Sequence, residues 1–333
     1  MEVDSSFNDN FVKFALKLFM SRSKNDPSVV SPFSIAVTMG MMNAGAEGTT
    51  KQQITEAFFK GNVNDVSRLV AQYLQKLKKL HIASLLYVDN SCKVKENFKT
   101  DLCLNYEVEV KKADFSHSSC NESAKINEDI KKATSGQICD MIPEGAINED
   151  TKIVVANAIY FSLPFRSHFE ERKTKMKTFY NEDNSTKKVP FMRHKHQTGY
   201  FVSDEKFDYA DFSFNPDDYD VFVIVPKGCT LSELITDFEN GAVSFSGIFK
   251  KTVGKCFNLD VTVPKFKVED SQDLKSSLKA VGVVNAFSEQ ADFSQITDGP
   301  LKVDFLQHKV SFLRVLESRG MVDFVVILSD HAF

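Results

Sequence analysis

Tryptophan is absent from the 333 residues, although phenylalanine occurs 30 times. No apolar stretch approaches the ~20 residues that span a bilayer, so a membrane helix is not expected. Basic residues are not in excess. Lys and Arg number 41 against 45 Asp and Glu, a net charge of −4, so neither nucleic acid nor an anionic membrane is an expected partner. Cys92, Cys103, Cys120, Cys139, Cys229 and Cys256 are scattered with no CxxC pair. That spacing excludes a dense disulfide framework and leaves them as free, mostly buried thiols. The opening MEVDSSFNDN lacks the basic start and apolar run of a secretory signal, which points to the cytoplasm. The sequons Asn121-Glu-Ser123 and Asn184-Ser-Thr186 matter only in a secreted chain.

Catalytic signatures are missing as well. Gly40 to Gly48 lacks the spaced Gly-Lys-Ser/Thr of a phosphate-binding loop, and no GxSxG elbow or HExxH pair occurs. His194 and His196 could share a strand face and hold a metal, but no third ligand stands near them in sequence. His81, His117, His168, His308 and His331 form no recognisable set. Nothing supports an enzyme or a resident cofactor.

What is present is a globular composition, 42% hydrophobic and 26% charged, without internal repeats or linker-like tracts, which reads as one domain over residues 1–333. Phe7, Phe11, Phe14, Ala15, Leu18 and Phe19 make a helical stripe that Asn25-Asp-Pro27 ends. Val29–Ile35 leads into a helix with Pro32 in its first turn, and Thr49 or Thr50 can cap the next. Val66–Leu80 is an amphipathic helix whose Lys76, Lys78 and Lys79 read as a solvated end. Ile82–Val88 and Val108–Phe115 read as strands. Lys152–Phe161, KIVVANAIYF, is apolar at nearly every position, as in a strand buried on both faces, and its Asn157 must find partners there. YDVFVIVP at Tyr219–Pro226 has the same character and follows Tyr209–Phe214 across the turn Asn215-Pro-Asp-Asp218. Thr174–Met192 reads as outer strands, and Ser232–Phe238 as a helix. Val261, Val263, Phe266 and Val268 alternate with polar residues across Pro264, which reads as one strand. Asp270 or Ser271 then caps a helix striped by Leu274, Leu278 and Val281, and Gly282 stops it.

Four blocks resemble the serpin family: SPFSI with NAGAEGTTKQQI, the helix Ile126–Ile138, NAIYF, and the run PKFKVE, LKAVG, NAF, ADFS. The likeness extends from Phe7 to about Lys309. It implies an α+β serpin fold with a large central mixed sheet, two smaller sheets and about nine helices. It also implies a serine-type endopeptidase inhibitor, with a serine or cysteine protease as partner, and admits an extracellular as well as a cytoplasmic location. Family inhibitors offer an exposed reactive loop that, once cleaved, inserts into the large sheet as a new strand. Ser31, Ser34, Asn157 and His308 match a polar cluster beneath the place where that sheet opens. Two family tryptophans are replaced, one by Asp129 and one by Phe165.

After His308-Lys309 the pattern departs, and residues 310–333 read as a divergent tail. On one alignment Gly320 matches the family's hinge glycine, but Met321–Leu328 is bulky and contains Asp323, where the family has small residues suited to slipping between strands. Alternatively, Asp330-His-Ala-Phe333 resembles the family's DHPF, which follows the loop, and the loop is then deleted. On either alignment no complete reactive loop is present and the two last family strands are lacking. Two functions stay open: an inhibitor by ancestry, and a non-inhibitory binding or scaffold protein. Without those strands Tyr219–Pro226 would be left unpaired, inviting self-association, unless the apolar run Phe324–Leu328 folds back beside it.

Overall fold

The structure is a computed structural model and describes residues 13–19, 29–59, 66–76, 81–161, 169–180, 185–213, 219–315 and 325–330. Phe7, Phe11, His168, Phe165, Asn184, the turn Asn215–Asp218, Gly320, Met321 and Asp323 lie outside these residues, as do Lys78, Lys79 and His331.

The most apolar stretch forms the middle of the larger sheet. β3 (Ile153–Phe161) lies between β1 (His81–Asp89), antiparallel, and β10 (Phe305–Val315), parallel. β2 (Val110–Ala113) and β9 (Phe266–Asp273) complete the order β2-β1-β3-β10-β9. Residues Ile153 to Ile159 are all buried, as expected of a strand covered on both faces. Alternate residues serve two cores. Ile153 and Val155 meet α2 (Pro32–Gly45), a helix apolar all round and buried almost throughout. Val154, Ala156 and Ala158 meet α6 (Phe115–Ala133) through Ile126 and Ile130. α2 is backed by α3 (Gly48–Phe59), α4 (Val66–Lys76) and α5 (Glu96–Tyr106). The packing at its end is close: a Cβ on Gly45 would stand 2.4 Å from Ile296 Cγ1.

The second sheet runs β11-β7-β6-β5-β4, with β8 also on β5. Its strands are β4 (Lys175–Tyr180), β5 (Thr186–Ser203), β6 (Phe207–Ser213), β7 (Tyr219–Pro226), β8 (Cys256–Pro264) and β11 (Val325–Asp330). The two smaller sheets that the resemblance implies run into one another through the long β5. Val202, Tyr209, Phe222 and Ile224 pack against the helix at residues 13–19 (α1), α7 (Leu231–Asn240) and α8 (Phe245–Thr252). With α9 (Lys275–Ala280) this makes nine α-helices among the described residues.

Several sequence expectations are corrected. Val261–Val268 is not one strand. β8 ends at Pro264 in the second sheet, and β9 begins at Phe266 in the first. Asp270 and Ser271 do not cap α9, because the ladder to β10 keeps the backbone extended as far as Asp273. Asp270 instead accepts from the Val29 N–H at 3.1 Å, and Asp273 Oδ1 accepts from Lys275 N at 2.9 Å. α3 begins at Gly48, ahead of both threonines, and Thr50 Oγ1 accepts from Asp292 N. β7 is covered on one face only: Phe222 and Ile224 are buried, while Val225 is 39% exposed. The six cysteines are free, but none is buried.

The tail does fold back. β11 pairs antiparallel with β7, from Val325↔Ile224 to Asp330↔Tyr219, so β7 is not left unpaired. Deleting residues 325–333 is expected to expose that edge. Lower solubility and stronger binding of a hydrophobic dye would follow, and an unchanged elution volume and dye signal would show that β11 shields nothing.

Asp129, standing where the family usually has Trp, tethers α6 by charge. Its Oδ2 accepts from Tyr87 Oη at 2.6 Å on β1 and from Lys111 Nζ at 2.5 Å on β2. Burial and the Asp129 carboxylate push the Tyr87 phenol far above its usual range. A second carboxylate, Asp89, ends β1 and is nearly inaccessible. It accepts from Ser91 N at 3.0 Å, Phe115 N at 3.1 Å and Lys152 Nζ at 3.4 Å. Burial raises its pKa, but the Ser91 and Lys152 hydrogen bonds and charge outweigh this and hold it at about 2, against 3.8 unperturbed. A depressed carboxylate stabilises the fold above its unfolded value and loses that contribution as pH falls through 3.8 toward 2. Asp89→Asn should therefore cost about 2 kcal/mol at neutral pH and flatten the acid limb of a urea-denaturation series. An acid limb identical to wild type would remove Asp89 from this role.

Candidate functional site

Asn157 sits at the midpoint of β3 on the α2 face, fully buried. The pairing register sets Ser84 of β1 and His308 of β10 directly opposite it, giving a polar row across three adjacent strands. An amide in this position needs two acceptors and a donor. Its Nδ2 donates to the Ser34 carbonyl and to Ser84 Oγ, each at 3.0 Å, and its Oδ1 contacts His308 Nδ1 at 2.8 Å.

The row is closed from above by the start of α2. Pro32 in the first turn lacks the N–H that a helix start cannot satisfy, and Ser31 is the N-cap, accepting from Ser34 N at 3.3 Å. The Ser31 N–H donates to His308 Nε2 at 3.4 Å. Since Nε2 accepts, the proton is assigned to Nδ1, which donates to Asn157 Oδ1, and the imidazole is neutral. Ser34 Oγ donates to the Ser31 carbonyl, and Thr38 Oγ1 to the Ser34 carbonyl.

The four residues singled out in the sequence are therefore brought together. The sequence reading missed Ser84, an ordinary residue of an alternating strand whose role appears only through register. The arrangement is not a nucleophile-and-base set. The ring nitrogens of His308 meet the Ser31 backbone N–H and the Asn157 amide oxygen, and at 1% exposure it is closed to substrate. What it can do is clasp β3 to β10 and both to α2.

The pair His194 and His196 fares differently. A bulge in β5 between His194 and Gln197 breaks the alternation, and His196 takes a left-handed φ of 60°. Among the described residues no group of three His, Cys, Asp or Glu is arranged to hold a metal, and no helix is long and apolar enough to cross a membrane.

Comparison with known proteins shows the family. The family model described as Serpin (serine protease inhibitor) matches residues 9–319. This chain belongs to the serpin family. An uncharacterised serpin-like protein of Methanosarcina mazei is 29% identical over 86% of the chain and 68% of its own length. Plasminogen activator inhibitor 1 of Sus scrofa is 28% identical over 86% of the chain and 75% of its own length. Crystal structures of maspin and of uncleaved ovalbumin, 22% and 19% identical, superpose with a TM-score of 0.85 each. They cover 97% and 98% of this chain, and 94% and 96% of the solved chains. These solved structures share the serpin fold.

If the clasp holds, Asn157→Ala should destabilise the chain by about 1–3 kcal/mol, because buried donors and acceptors on both sides lose their partner. A thermal melt that does not move would argue against it.

Proposed function

We propose that this serpin, a single domain, acts by binding through its folded body and does not trap a protease irreversibly. The observation that carries the reading is how the chain between the two sheets is used. β3 and β10 are paired directly from Val154↔Phe305 to Phe161↔Phe312. Only residues 316–324 separate β10 from β11, and β11 is committed to β7 in the other sheet. A strand that must cross to the larger sheet after cleavage needs both a long exposed loop and a joint that opens. The free thiols, partly exposed, support a reducing, cytoplasmic setting.

A second reading, a protease inhibitor, is favoured by the retained Ser31, Ser34, Asn157 and His308 cluster at the β3–β10 joint and by relatives named as inhibitors, among them a serine protease inhibitor of Cyanea capillata. Incubation with trypsin-, chymotrypsin-, subtilisin- and cathepsin-like proteases separates the two. We expect no SDS-stable complex with any of them. A covalent band heavier by the mass of the protease would overturn the binding reading in favour of inhibition.

A further inference from the structure

β4 is the outer strand of the second sheet at the end opposite β11. An edge strand leaves alternate backbone N–H and C=O groups unpaired. The two faces of β4 differ. Lys175 and Lys177 share one face, both exposed, and among the described residues neither has a carboxylate partner. Lys177 Nζ lies 5.8 Å from the centre of the Phe191 ring on β5, which supports it from below. The other face carries Met176, 60% exposed, and Tyr180, 69% exposed. Lys188 also points to solvent on that face, its Nζ donating to Thr178 Oγ1. Arg172 and Lys173 precede the strand, but both pair with Glu170 and Glu171 stands beside them, so the positive charge is that of β4 and Lys188. This surface is cationic on a chain whose net charge is −4.

We propose that the β4 edge docks an extended acidic segment of another protein by strand addition, one in which acidic residues alternate with apolar ones. Antiparallel neighbours across an edge interact in register, side chain to side chain. Acidic residues at every second position would face Lys175 and Lys177, and the intervening apolar residues would cover Met176 and Tyr180. A second copy of this chain fits poorly, because β4 against β4 sets lysine opposite lysine on the same face. A nucleic acid would need a free ring beside the lysines, whereas Phe179 on their face is 8% exposed and the exposed Tyr180 stands on the opposite face. Lysines on an edge also discourage aggregation, and that role alone would give no preference for an alternating acidic peptide.

The test uses the full chain and a fluorescent, N-acetylated peptide as long as β4 that alternates glutamate with valine, read by anisotropy. Saturable binding is expected, and the double variant Lys175→Glu/Lys177→Glu should weaken it by about tenfold or more and turn the preference toward the lysine-valine peptide. Methylating the peptide nitrogens on one edge only should abolish binding, while methylating the other edge should leave it intact, since strand addition uses one edge. Should the double variant melt below wild type, Lys175→Gln and Lys177→Gln singly serve instead, with a smaller loss expected from each. Equal binding of both methylated peptides, or of a sulfated oligosaccharide or single-stranded DNA at the same concentration, would replace strand addition with plain charge attraction and overturn the proposal. No binding at all would leave the lysines as edge guards and overturn it too.

Discussion

The fold depends on one buried amide finding partners. β3 runs through the middle of the larger sheet with apolar cover on both faces, and Asn157 is the polar side chain in that interior. An unpaired amide there would cost on the order of a few kcal/mol. Meeting the demand fixes three things together. β10 must stand beside β3 in the register that sets His308 opposite Asn157. β1 must present Ser84 on the other side. α2 must begin where the Ser34 carbonyl and the Ser31 N–H point down onto the row. Strand order, register and helix placement are thus coupled through one set of hydrogen bonds.

The same demand explains why sequence reading succeeds where it does. Asn157 stands out because everything around it is apolar, and the need for a partner follows without knowing the fold. Which residues answer it does not follow from physics alone. His308 and the two serines came from the family likeness, and Ser84 came from neither source. The larger sheet was legible from the doubly apolar β3. The division of Val261–Val268 was not, because side-chain alternation runs nearly unbroken across Pro264 while the chain changes sheets. Asp270 was misread for a similar reason: an acidic residue ahead of an apolar stripe looks like a cap unless the β10 ladder is known to hold it extended. The loss of Trp at Asp129 was visible, but not its replacement by a charged tether from α6 to Tyr87 and Lys111.

The tail shows two sheets competing for one piece of chain. An apolar run after Gly320 could in principle join either, and charge decides little, since the run from Phe324 to Leu328 has none. Proximity decides more. β10 ends at Val315 still paired to β9, and the next strand lies along β7. Covering β7 requires no existing contact to break. Entry between β3 and β10 would first require the clasp and the ladder around it to come apart.

That comparison can be carried one step further. Each backbone hydrogen bond in the β3–β10 ladder contributes about 0.5–1.5 kcal/mol net, and parting the strands also strands the Asn157 and His308 side chains in an apolar interior. An incoming strand repays this only if it restores both the ladder and the polar partners, which demands small side chains and a matching polar group at the Asn157 level. Met321–Leu328 is bulky throughout and carries Asp323. On the proposed binding reading, the closed sheet is the low-energy arrangement for this sequence, and the clasp would act as a lock. A body locked in this way keeps its surfaces in fixed register, which is what recognition along a sheet edge requires.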